Sequence, residues 1–373
     1  MNTIRFRGKV FRCAVCLVLS IMLGVLLLTA VYALPVGRMH ANVTRSTQML
    51  YNQGDFFSWS QPQDVTTTLD GYTDAIMVQS AIYLGTGHPL RDAMLHAHVT
   101  YPSGELPVAS LLRYIFGEYD GQHDQNTCKG DQMIASLNPI TTAMCLQYSS
   151  MYLITLTGVL VMLSFETWNK DWGYLVFLFL GFATAFFDFL TYPVAAVGVC
   201  LTLQVLLGRK KGIQALTGCI GSGAAWAFGY GGMWSGKWLA ASLITGTNAL
   251  SDAMEQIQYR SGGTVTASEG GAEATFGAVV SRNLGVFINP AAVLILLALL
   301  GVLVWLLLTK RCRFAPEKAS LLSLLIVFAV PFIWYFLVRN HSMVHYWMTH
   351  RNLAAAAFAL SGFVCFSMTE RER

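Results

Sequence analysis

Charge is scarce in this chain. Of its 373 residues only 12 % are Asp, Glu, Lys or Arg, while 54 % are apolar. So few polar groups cannot cover a water-soluble domain, and the composition is that of a membrane protein. The formal net charge of +4 makes no case for nucleic acid, because the excess Lys and Arg sit in short linkers, where they report orientation. Several familiar motifs are missing as well. Cys13-x-x-Cys16 lies in an apolar run with no ligand His nearby, and no Cys-x-x-Cys pair has a metal-site partner. Gly229-Tyr230-Gly231-Gly232 lacks the Lys-Ser/Thr of a nucleotide loop. No Ser-His-Asp elbow, Rossmann fingerprint or EF-hand is present, and no internal repeat argues for inverted halves.

What is abundant is long apolar sequence. About eight runs are long enough to span a bilayer. They lie at about 13–34, 148–165, 173–190, 191–207, 213–232, 287–308, 319–338 and 353–369. The expected fold is an all-α polytopic membrane protein, a single membrane domain over 1–373. The first run is read as a retained helix rather than a cleaved signal. RFRGKVFR, GRKK, TKRCRFAPEK and the tail ERER fall on one side, which the positive-inside rule assigns to the cytoplasm, with both termini. The opposite side of the cytoplasmic membrane then receives two long outer loops, 35–147 and 233–286.

In the first outer loop, LDGYTDAIMVQSAIYL and ELPVASLLRYIFGEY have apolar residues at helical spacing and are too short to span, so interfacial amphipathic helices are expected. DGQHDQNTCKGDQ reads as an exposed tip. Cys128 and Cys145 share this loop and read either as a disulfide or as two free thiols. Asn42-Val43-Thr44 matches a glycosylation acceptor, relevant only in a eukaryotic secretory host. In the second loop, Leu239, Leu243, Leu250, Met254 and Ile257 are expected along one face of a helix, followed by a Gly-rich stretch, SGGTVTASEGGAEA, read as a mobile linker or lid.

Polar clusters gather on the outer side. Asp70 and Asp74, four residues apart, suit a base toward an acceptor hydroxyl or a divalent cation site (Mg or Mn); alternatively they cap a helix and favour its dipole. Asp188, in FFDFLTYP, costs about 2.5–3.5 kcal/mol at mid-membrane and so is expected to face a cavity or, near the outer end, to hold the Thr191-Tyr192-Pro193 turn. Arg339, His341, His345 and Arg351 crowd one short linker. Two arginines there suit an anionic head group, whereas an aromatic and cationic interfacial belt is the plainer reading. The His pair lacks the glutamate of a zinc-binding HExxH. Lys237-Trp238 reads as a phosphate contact or a snorkelling pair.

A long outer loop directly after the first span, with an acidic interfacial helix, resembles the GT-C superfamily of integral-membrane glycosyltransferases. LDGYTDAIM, FFDFLTYP and NHSMVHYWMTHR are also similar to segments of bacterial multi-pass proteins that resemble those enzymes. The resemblance implies transfer of a sugar from a polyprenyl-phosphate donor to an envelope glycan or lipid acceptor at the outer face. It implies Asp70, and Asp74 beside it, as catalytic base or metal ligand. It implies Arg351, His341, His345, Lys237 and Arg339 at the donor phosphate, with Asp188 and Tyr192 as a further polar site. The chain departs from the family's pattern in having no adjacent Asp-Glu pair after the first span and no soluble C-terminal domain. A transporter or flippase, with broken helices and mid-membrane polar groups, is the first alternative. A non-enzymatic envelope-assembly subunit is the second.

Overall fold

The computed structural model describes residues 2–54, 56–58, 65–80, 87–97, 145–165, 170–188, 190–208, 212–266, 271–288, 290–309, 312–314 and 318–370. Cys128, the expected helix ELPVASLLRYIFGEY, the tip DGQHDQNTCKGDQ and most of GRKK and ERER lie outside the described residues. Among the described residues the fold is all-α apart from one short ribbon. In that ribbon β1 (Cys312–Phe314) pairs antiparallel with β2 (Met368–Glu370), joining an inter-helix linker to the chain's end.

Each apolar run forms a helix. α1 is Asn2–Tyr32, α5 Leu146–Ser164, α6 Tyr174–Phe187, α7 Pro193–Leu207 and α8 Ile213–Thr245. Later come α11 (Pro290–Leu308), α12 (Lys318–Leu337) and α15 (Leu353–Ser367). Among the described residues two segments, Arg7–Tyr32 and Ser320–Leu337, are long and apolar enough to cross a membrane. Tyr148–Ser164, Tyr174–Phe187 and Pro193–Leu207 are shorter apolar helices. α1 exposes Val18, Leu19, Met22, Leu23 and Leu26, and α11 exposes Leu294, Leu297, Leu300 and Leu308. Faces so apolar are matched to hydrocarbon rather than to water.

The tightest contact joins α6 to α8. A Cβ at Gly181 would strike the Trp226 carbonyl oxygen, and one at Gly229 the Leu178 carbonyl oxygen. Glycine is what lets the two backbones meet, as in membrane helix pairs generally. α8 therefore packs through its Gly-rich stretch without breaking and continues to Thr245, well past 232. It ends at Gly246, whose φ of 74° is left-handed backbone suited to glycine. α7 forms the centre, packed against α5, α12 and α15, with Gly198 lying against Ala355.

Outside this bundle the first loop begins with α2 (Val36–Gln53), which buries Met39, Val43 and Leu50 against Ala75 and Val78 of α3 (Gly71–Ser80). α3 covers the described part of the expected interfacial helix and is wedged between α2 and α5. α4 (Pro89–Ala97) sets Ala93 and Met94 against α1 and α8.

In the second loop the expected continuous helix is two. α8 stops at Gly246, and α9 (Ala249–Ser261) restarts with Asn248 as its cap, accepting from the Ser251 N–H at 3.3 Å. Leu239, Leu243, Leu250, Met254 and Ile257 are all exposed, so they do not form a buried stripe within the chain. The stretch expected to be a mobile lid is anchored at its described ends. Thr264 bridges to Glu273, and the Thr264 carbonyl accepts from the Asn340 side chain at 2.6 Å. α10 (Phe276–Phe287) follows, capped by Thr275.

Candidate functional site

Four separate parts of the chain converge at one end of the bundle, described at 56–58 with 65–74, at 145–148, at 188 with 190–192, and at 339–352. The last folds as α13 (Arg339–Val344), α14 (Tyr346–Thr349) and a single 3-10 turn, His350–Asn352. Asn340, His341, Ser342, Thr349, His350, Arg351 and Asn352 are all buried, which is more than a membrane-interface belt requires. α10 holds this segment down. The Asn283 amide donates to the Ser342 carbonyl at 3.0 Å, and the Thr349 hydroxyl donates to Asn283 Oδ1 at 2.8 Å.

Asp70 precedes α3, and its Oδ1 accepts from the Thr73 N–H at 2.9 Å. The capping role is therefore real, but both carboxylates are also buried, at 2 % and 3 % exposure for Asp70 and Asp74. Cys145, the N-cap of α5, donates its S–H to Asp74 Oδ1 at 3.7 Å and is a free thiol. Burial pushes the Cys145 thiol well above its usual range, and the Asp74 and Asp70 charges add to the shift.

Arg351 is the largest fully buried side chain among the described residues, at 1 % exposure. Its Nη1 donates to the Trp347 carbonyl at 2.8 Å, and its guanidinium lies 4.3 Å from the centre of the Tyr148 ring. Its Nε and Nη2 are buried without a hydrogen-bond partner among the described residues. Tyr148 sits within electrostatic reach of Arg351, Asp70, Asp74 and Cys145, and Tyr192 within reach of Arg351 and Asp188. The Tyr192 hydroxyl donates to the Tyr148 carbonyl. Asp70, Asp74, Cys145, Tyr148, Arg351, Tyr192 and Asp188 thus form one continuous polar layer.

Asp188 Oδ1 accepts from the Thr191 N–H and hydroxyl, holding the turn read from the sequence. Within it Leu190 has a φ of 63°, a strained value for a branched residue. The Leu190 carbonyl accepts from His341 Nε2 at 2.8 Å. That contact puts the proton on Nε2, so Nδ1 accepts from Arg260 Nη1 at 2.9 Å. Arg260 also reaches His345 Nε2 at 3.5 Å, and the two imidazole centres lie 4.7 Å apart. Burial, then His345 and Arg260, hold His341 well below the usual histidine range. Burial and Arg260 push His345 down to about 3. Both imidazoles are neutral at physiological pH, so the positive charge here comes from arginine.

Lys237 lies elsewhere. Its ammonium donates to the Ala185 carbonyl at 2.8 Å between Phe186 and Trp234, a cation at the C-terminal end of α6. Arg339 lies over the exposed Phe336 ring at 5.7 Å. Among the described residues no group of three or more His, Cys, Asp or Glu side chains is arranged to hold a metal ion. The two carboxylates share their surroundings with a guanidinium, and by themselves the described residues do not make a Mg or Mn site.

An apolar groove of about 610 Å³ runs between α5 and α6, walled by Leu153, Ile154, Val161, Val176 and Phe179. Ser149 and Ser150 line its head, one residue from Tyr148. Tyr148, Arg260 and Asn352 belong to the layer or its support without standing out in the sequence. The one available signal was position: Tyr148 opens an apolar run, three residues after Cys145.

No protein-family model, curated protein or solved structure matches this chain.

Proposed function

We propose that this chain is a multi-pass membrane glycosyltransferase of GT-C type, moving a sugar from a polyprenyl-phosphate donor to an envelope acceptor at the outer face. The eight apolar helices are the eight spans of this reading, and both termini face the cytoplasm. The observation that carries the reading is Arg351. A buried guanidinium with two unpaired nitrogens and no described carboxylate at ion-pair distance is costly by several kcal/mol. A bound anion offsets that cost. The groove beside it takes an apolar chain, so the ligand class that fits both is an amphiphile with a phosphate head.

The chemistry follows from the layer. The donor phosphate sits on Arg351, with its tail along the α5–α6 groove. An acceptor hydroxyl attacks the anomeric carbon, the bond from that carbon to the phosphate oxygen breaks, and Asp70 takes the hydroxyl proton. The sugar ends on the acceptor and the polyprenyl phosphate leaves with one more negative charge, which Arg351 stabilises in a site shielded from water. Asp74, tied to Cys145, orients the first turn of α3 and so positions Asp70. His341 and His345 position α13 against Arg260. The unbroken α8, and a polar layer gathered at one end of the bundle, speak against a transporter.

The reading is tested by mass spectrometry of lipid extracts from cells lacking the protein. A polyprenyl-phosphate sugar should accumulate; wild type should clear it and Asp70→Asn should not. Unchanged carrier lipids in all strains would rule this donor class out.

A further inference from the structure

Tyr148 is fully buried, and its hydroxyl has no hydrogen-bond partner among the described residues. A buried hydroxyl left in that state is unfavourable, and nothing about this side chain lets it turn to find relief. Its carbonyl is held by the Tyr192 hydroxyl, and its ring is covered by the Arg351 guanidinium at 4.3 Å. We propose that the Tyr148 hydroxyl is a second contact for the phosphate held by Arg351, a proposal that rests on the lipid-phosphate reading above.

The geometry supplies the first argument. The guanidinium with two unused nitrogens lies over the same ring whose edge carries the unused hydroxyl. Both sets of unused donors therefore belong to one stacked pair, Arg351 on Tyr148. Charge supplies the second. Asp70, Asp74 and Cys145 all bear electrostatically on the Tyr148 hydroxyl. A second cation here would pair with Asp70 and blunt it as a base, whereas a phenol donates a hydrogen bond without neutralising a carboxylate. The third argument is the reaction itself. The phosphate gains a negative charge as the sugar departs, so a hydrogen bond to it strengthens toward the transition state. Position agrees with all three, because Ser149 and Ser150 next to Tyr148 open the apolar groove.

Tyr148→Phe removes the oxygen and keeps the ring on which Arg351 rests. Purified wild-type protein, Tyr148→Phe and Arg351→Gln in detergent are titrated with citronellyl phosphate, a short soluble prenyl phosphate, and with citronellol, the same tail without phosphate. Tyr148→Phe should bind the phosphate ester roughly tenfold more weakly and citronellol as wild type does. Equal affinity of Tyr148→Phe and wild type for the phosphate ester would overturn the assignment. So would an equal loss for ester and alcohol, which would mark a packing role. If Arg351→Gln loses the preference for phosphate while Tyr148→Phe keeps it, only the Tyr148 assignment falls. If wild type shows no preference for phosphate, the lipid-phosphate reading fails and takes this assignment with it.

Discussion

Asp70 performs two tasks that substitution can separate. As the cap of α3 it is worth about 1 kcal/mol, and Asn caps as well as Asp while Ala does not. Asp70→Asn should therefore leave thermal stability near wild type and abolish transfer, whereas Asp70→Ala should lose both. A fully active Asp70→Asn protein would remove Asp70 from the chemistry. The His pair makes a different claim. His341 and His345 stay neutral when folded but take up protons near pH 6.5 when unfolded. Below that pH the unfolded state binds more protons, so stability falls as pH drops from about 6.5 toward about 3 and is flat above about 7. Thermal denaturation in detergent should show that slope, reduced in a His341→Gln/His345→Gln double variant; stability that rises on acidification would contradict it. Asp70, Asp74, Arg351 and the His pair were legible because a polar group in an apolar sequence stands out. Tyr148 and Arg260 were not. A Tyr opening an apolar run looks like an interfacial anchor, and Arg260 looks like a basic residue suiting the end of α9 until α9 is seen packed on α13.

Helices were readable from the length of the apolar runs, but their ends were not. The run from 213 loses hydropathy near 232, yet α8 continues to Thr245 because Lys237 buries its charge against the Ala185 carbonyl and two aromatic rings. No periodicity shows such a tertiary contact. The Gly-rich stretch was equally ambiguous between a break and a close crossing, and the α6 backbone at Leu178 and Gly181 decides for the crossing. Gly181→Ala should push a methyl into the Trp226 carbonyl and destabilise by about 1–3 kcal/mol. Gly221→Ala, where a Cβ meets nothing within 4 Å, should be harmless. Equal melting temperatures for the two variants would show that the α6–α8 contact is looser than described.

At the scale of the whole molecule, apolar helices present hydrocarbon-matched faces outward while one buried layer at their end gathers three carboxylates, two tyrosines, a thiol and an arginine with no ion-pair partner among the described residues. The central claim is that this layer, with the α5–α6 groove beside it, holds a lipid whose phosphate rests on Arg351. Native mass spectrometry of protein released gently from its own membrane tests it most directly. Wild type should carry a co-purifying polyprenyl phosphate or its glycosylated form, and Arg351→Gln, folded to the same melting temperature, should lose it. Wild type carrying only bulk phospholipid, or an Arg351→Gln variant that retains the polyprenyl phosphate in full, would contradict the account.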